Sequence, residues 1–255
     1  MAKPEVDGGA DRRIQLTVRD RTMMAWAGRQ RFVTPEVIAA RTWPTGRFGG
    51  GGRIDAQGKL DPRVVRNRLL RLRTAGLMSS RRYFYEGSSA WTVTAMGLSE
   101  AGVDLPPSSV DIRTYDHDLR LALLWIDLEA EFPAGRLLSE REIRSLDGGV
   151  EDPTYCPGTL GATGGARKIH YPDLAVEPTP GAEPVAIELE LTPKSASRLE
   201  AILRLYKRAH HLSGVRYYID DRLTENAVRR AAKAVEVNEH REVLSIRRAG
   251  QAELI

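Results

Sequence analysis

Between residues 185 and 191 the chain alternates without a break, with Val185, Ile187, Leu189 and Leu191 on one face and Glu188 and Glu190 on the other. A period of two predicts a β-strand with one apolar face. Residues 169–177 predict a neighbouring strand, which carries Asp173 after Tyr171 and Pro172. Residues 115–132 follow the helical period instead, with Leu119, Leu123, Ile126 and Ala130 near one face. Residues 137–144 predict either a short strand or a helical turn capped by Ser139. Residues 146–168, rich in glycine, proline and threonine, predict a loop. A helix is expected over 196–212, bearing Arg198, Arg204, Tyr206, Lys207 and Arg208. A strand at 215–219, a helix at 225–235 and a last strand at 243–247 follow. Helices and strands in this order predict a mixed sheet flanked by helices, an α/β unit over residues 111–255.

The first half has a different pattern. Thr17 caps a helix running to about Arg31, with Asp20 completing a capping box. Thr34 caps a second helix that has Pro35 at its first position and ends near Thr42. A glycine-rich connection, residues 49–52, leads to Asp61 and Pro62, which start a third helix that Gly76 ends. Val65, Leu69 and Leu72 form its apolar stripe, and Arg63, Arg66, Asn67, Arg71 and Arg73 occupy the remaining surface. A hairpin follows, 81–85 and 90–94, turning at Glu86 and Gly87. Three helices and a hairpin are the order of a winged helix, here residues 14–103, and the proline-containing segment 104–110 reads as a linker. The whole is α+β, an N-terminal winged helix before a C-terminal mixed-sheet α/β unit. In such a fold the third helix enters the major groove and the wing touches the backbone or the minor groove. Arg63, Arg66, Asn67 and Arg71 are therefore candidates for bases or nearby phosphates, and Arg81 and Arg82 for phosphates. The bland alternative is a solvated arginine-rich face, and winged helices also bind proteins.

Charge favours the first reading. The net charge of +4 divides unevenly: residues 1–110 hold 18 lysines and arginines against 10 acids, and the rest hold 20 against 24. A basic half points to nucleic acid, because phosphate neutralisation supplies most non-specific affinity. With Cys156 as the sole cysteine, an internal disulfide or a cysteine-based zinc site within one chain is excluded. There is no uninterrupted apolar run of the ~18 residues needed to span a bilayer. The polar start, MAKPEVDGGADRR, lacks a signal-peptide core, so a cytoplasmic location is expected.

The candidate chemistry lies in the acidic half. Adjacent strands could aim Asp173, Glu188 and Glu190 into one cluster, with Asp173 and Glu188 as ligands for Mg²⁺ or Mn²⁺. Alternating glutamates on an edge strand can equally be a solvated face, and Asp173 after proline can be a turn residue. The pattern resembles the PD-(D/E)XK nuclease superfamily, with Pro172-Asp173 as its first element and Glu188 as its second. Glu190 stands where that signature has lysine. Lys194, at a strand-to-helix junction, could supply the displaced amine. His117 reads as structural or as a border to the metal site. Glu140 reads as an extra carboxylate or as the partner of Arg141 or Arg144. By alternation His170 is expected to point away from the neighbours of Asp173, and Tyr206 reads as core.

From about Thr17 onward the chain resembles the replication-relaxation family of bacterial plasmids and integrated elements. The matching stretches are LTVRDRTMMAWAGRQRFVTPEVIA, VVRNRLLRLRTAGLM, HDLRLA, SEREIR, YPDLAV and VAIELELTPKSASRLEAILRLY. That resemblance implies a mobile-element protein that binds double-stranded DNA and carries a nuclease-like domain. The expected activity is metal-dependent endonuclease action, with Asp173, Glu188, Glu190 and Lys194 as catalytic residues. The alternative is a non-catalytic regulator of replication or transcription whose second domain forms a homodimer.

Overall fold

The computed structural model describes residues 14–42, 62–148, 150–163, 166–237 and 244–248. The glycine-rich segment 49–52 and the Asp61 that precedes the third helix lie outside the described residues. Helix α1 (Val18–Arg29) starts at the Thr17–Asp20 capping box, and α2 (Pro35–Thr42) begins on its proline. Helix α3 (Pro62–Thr74) buries Val65, Leu69 and Leu72. It stops at Gly76, whose φ of +73° is a left-handed conformation that glycine adopts without strain. The hairpin is β1 (Met78–Arg81) and β2 (Ala90–Val93), so its first strand precedes Tyr83–Tyr85. A short helix α4 (Ala95–Glu100) then packs close, and a Cβ at Gly97 would meet the Leu77 carbonyl oxygen at 2.0 Å.

Residues 103–111 hold no helix or strand, and a turn of 3₁₀-helix leads into α5 (Tyr115–Glu131). Strand β3 (Arg136–Ser139) passes directly into α6 (Glu140–Asp147), so the segment 137–144 is both a strand and a capped helix. Ser139 bonds the Glu142 N–H while the Glu142 carboxylate returns to the Ser139 N–H. Ser139→Ala is expected to cost about 1 kcal/mol of stability, the usual worth of such a cap, measured by chemical denaturation.

The five-stranded sheet has the order β3-β6-β7-β8-β9, with β6 Leu174–Glu177, β7 Val185–Glu190, β8 Gly214–Ile219 and β9 Leu244–Arg248. Strand β6 runs antiparallel to both β3 and β7, and β7, β8 and β9 are parallel, linked by α7 (Ala196–Arg208) and α8 (Arg222–Ala234). Two expectations are corrected here. The loop expected over 146–168 contains β4 (Gly158–Thr163), which pairs with β5 (Ala166–His170) in a separate hairpin. The single strand expected over 169–177 is broken at Tyr171–Asp173 into β5 and β6, because Pro172 has no N–H to continue a ladder. The stretch between α6 and β4 is fixed by Asp147, whose buried carboxylate accepts the N–H groups of Thr154, Tyr155 and Cys156.

One apolar core runs through both halves. Trp26, Val37 and Ile38 from the first helices pack with Ala122 and Trp125 of α5 and with Leu174, Ile187 and Leu189 of the sheet. A second core lies on the opposite sheet face under α7 and α8. Phe32 stacks on Tyr115 at 4.4 Å between ring centroids, and Phe84, between β1 and β2, meets the same ring edge-on at 4.9 Å. Arg41 binds Glu129 through two hydrogen bonds, at 3.0 and 2.9 Å. Among the described residues no helix is long and apolar enough to cross a membrane.

Candidate functional site

Strand β7 is buried on both faces. The second core covers its Ala186 side, so Glu188 (3% exposed) and Glu190 (4%) are not a solvated face. A buried carboxylate needs partners to stay charged, and each acid of this cluster has its own basic neighbour.

Asp173 stands at the head of β6, where its carbonyl accepts the Glu140 N–H at 3.0 Å and so ties it to the start of α6. Its Oδ2 accepts the Leu189 N–H at 2.8 Å, which draws the carboxylate onto β7. His117 of α5 lies 3.4 Å from the same oxygen and donates from Nε2 to the Leu189 carbonyl at 3.2 Å. Burial alone would lower the His117 pKa. Hydrogen bonds to Asp118 and Asp173 outweigh burial and raise it to about 10, so the ring is an imidazolium at neutral pH.

Glu188 accepts His170 Nε2 at 2.8 Å and the Tyr206 hydroxyl on one oxygen. Burial would raise its pKa, but His170, Lys194 and Tyr206 together hold it below the ordinary value. The Tyr206 phenol is pushed well upward by burial and by Glu188, which keeps it a donor. His170 thus points toward the cluster, contrary to the alternation argument. The break at Pro172 puts β5 in another hairpin, so facing no longer carries over from β5 to β6. Tyr206 is core, as its helical spacing predicts, and its hydroxyl also serves the site.

Glu190 pairs with Lys194, four residues on, just past the strand end. Burial pushes the Glu190 carboxyl up against the pull of this ammonium, with Glu188 and Asp173 adding to the rise. Burial would lower the Lys194 pKa, but attraction to Glu188, Glu190 and Asp173 outweighs it and leaves the group firmly charged. One ammonium is therefore held in the field of three carboxylates.

Tyr217 was not singled out from the sequence. It lies beside Glu188 in the parallel β7–β8 register, and its buried hydroxyl has no hydrogen-bond partner among the described residues. Burial and the charges of Glu188, Glu190 and Asp173 push its pKa well up. The hydroxyl lies in the field of these carboxylates but within hydrogen-bond reach of none of them, and it is the carboxylates that suit a hard divalent cation. Among the described residues no three histidine, cysteine or acidic side chains form a ready cage. A cation here would rest on Asp173 and Glu188 with water completing its shell, as Mg²⁺ commonly does.

The other candidates fall elsewhere. Glu140 pairs with Arg144 at 2.6 Å and with Arg31 at 2.8 Å. Arg63, Arg66, Asn67 and Arg71 of α3 are exposed, as are Arg81 at the end of β1 and Arg82 after it. Arg66 sits 3.5 Å from Glu36, and Arg81 lies over the Tyr83 ring. At the wing tip Tyr85 is 94% exposed. The period-two and period-3.6 patterns found the carboxylates and arginines. His117, one of whose two sequence readings is a border to the metal site, does stand beside Asp173, whereas the facing of His170 and the place of Tyr217 depend on three-dimensional packing. Compared with protein-family models, with curated proteins and with solved structures, the chain matches none.

Proposed function

We propose that this protein binds double-stranded DNA through α3 and the wing and hydrolyses a phosphodiester with the acidic cluster of its sheet. The observation that carries this reading is the Lys194 ammonium among Glu188, Glu190 and Asp173 at adjoining strand ends. It returns an amine to the cluster although Glu190 holds the usual lysine position of the PD-(D/E)XK pattern. Asp173 and Glu188 would hold Mg²⁺ or Mn²⁺, and such a metal, when bound, polarises phosphate oxygens and acidifies water. His117 and the Leu189 N–H hold the Asp173 carboxylate in place, and His170 and Tyr206 hold that of Glu188. Lys194 would face negative charge gathering on the phosphate. The exposed arginines of α3 and the wing would supply phosphate affinity and register. A cytoplasmic mobile-element protein of the replication-relaxation type is the setting this proposal implies.

A second reading, a regulator of replication or transcription that forms a homodimer, draws support from the sealed Glu188–His170–Tyr206 network, which serves a stable core as well as a catalyst. Supercoiled plasmid with Mg²⁺, Mn²⁺ or chelator separates the two. Nicking that requires metal and falls to background in Asp173→Ala is expected. Metal-independent gel shifts with no nicking, equal in Asp173→Ala, would support the regulator instead.

A further inference from the structure

Between the two halves lies a cleft of about 310 Å³ that reaches the carboxylate row at Asp173. Gln30 at the end of α1, His117 and Asp118 of α5, Glu140 and Arg141 of α6, and Asp173 contribute to its walls. The acids there are already matched. Asp118 accepts the Thr114 hydroxyl at 2.9 Å and faces His117, and Glu140 has Arg31 and Arg144. Asp173 has the Leu189 N–H and His117.

The donors are not all matched. Gln30 is only 4% exposed, and its side-chain nitrogen has no acceptor among the described residues. Burying an amide donor unpaired is costly, and native folds keep few such groups. The Arg141 guanidinium has five N–H groups. Among the described residues its hydrogen bonds go to neutral carbonyls, those of Gly28, Gln30 and Pro106. Burial and the neighbouring Arg31 push its pKa down, while Glu142 opposes them, so its charge is under-compensated. Of the four carboxylates that line the cleft, Asp111, Asp118, Glu140 and Asp173, none accepts from either donor among the described residues. Its volume sits at the lower end of small-ligand pockets, which begin near ~300 Å³, and suits one nucleotide unit rather than a duplex.

We propose that this cleft seats a phosphoryl group of a single nucleotide strand beside Asp173, with the Gln30 amide and the Arg141 guanidinium as donors. This inference rests on the reading of the chain as a DNA-acting protein and specifies what enters its site. Strand and free phosphate share the recognised chemistry, and the test distinguishes them.

The full chain, carrying Arg63→Ala and Arg66→Ala to remove binding by α3, would be titrated calorimetrically with a 5′-phosphorylated thymidine trinucleotide and with inorganic phosphate. Gln30→Glu and Gln30→Met would be compared in the same background. Saturable trinucleotide binding, weakened tenfold or more by both changes, is expected. The melting temperature of Gln30→Met should equal or exceed that of its parent, because an unpaired buried donor has been removed. Tighter binding of the trinucleotide than of phosphate supports the strand as source, and equal binding supports recognition of the phosphoryl group alone. No saturable binding of either, or affinities unchanged by both Gln30 substitutions, would overturn the proposal. Duplex gel shifts with and without the α3 changes run in parallel. Their failure would sink the winged-helix reading while leaving the cleft measurement intact.

Discussion

Lys194→Met is expected to lower the proposed metal-dependent nicking by about 10²–10³-fold, the usual effect of deleting one donor aimed at developing negative charge. The side chain has two duties that this substitution removes together. It balances the buried Glu190, and it places positive charge within reach of Glu188 and Asp173. Adding Glu190→Gln separates them. If Lys194 serves only as a counter-ion, neutralising its partner restores nicking along with stability. If it acts on the substrate, the double variant regains thermal stability and stays slow. Nicking rates and melting curves of wild type, both single variants and the double variant decide the matter. Full recovery of rate in the double variant would remove Lys194 from the catalytic set.

The second large effect is on folding. Asp20→Ala is expected to destabilise the protein by about 3–5 kcal/mol, the cost of breaking a buried ion pair from one side. Asp20 is 2% exposed and receives Arg68 Nε at 2.8 Å and Nη2 at 2.5 Å. It also accepts the Thr17 N–H and hydroxyl, at 2.8 and 2.7 Å. Its loss strands the guanidinium between α1 and α3 and removes half of a capping box. Burial raises the Asp20 pKa, but Arg68 and Thr17 outweigh it and hold the carboxyl below its ordinary 3.8. A depressed folded-state pKa gives stability that is present above the unfolded value and is lost as pH falls through the folded one. The gap between wild type and Asp20→Ala should therefore be constant near neutrality and close below about pH 4. Urea melts at pH 7, 5 and 3 test this, and a gap that widens in acid would refute the account.

How far the sequence reached depended on the range of the interaction. Local signals were legible: the Thr17 cap, Pro35 and Pro62 at helix starts, and Gly76 at a helix end each act within a turn of chain. The alternation over 185–191 separated Glu188 and Glu190 from the apolar positions, and the α+β character followed from the order of elements. What alternation cannot report is whether the second face meets water. Here α7 covers it, so the glutamates are buried. The hairpin of β4 and β5 was hidden because its glycines and threonines look like loop. His170 was misjudged because facing was extrapolated across Pro172. His117 comes to Asp173 from a residue 56 positions earlier, a proximity that only the packing of α5 on the sheet creates.

The core shared by the first helices, α5 and the sheet bears on whether the two halves can be separated. A chain cut between residues 103 and 111 would leave Trp26, Val37 and Ile38 on one piece without Trp125, Leu174 and Ile187 on the other. Each fragment would carry a raw apolar surface and a broken aromatic stack. Neither half can be joined to a new neighbour without a replacement for that apolar surface. Either half expressed alone would therefore be expected to aggregate, and an exchange of the exposed residues of α3 would have to be made within the whole chain.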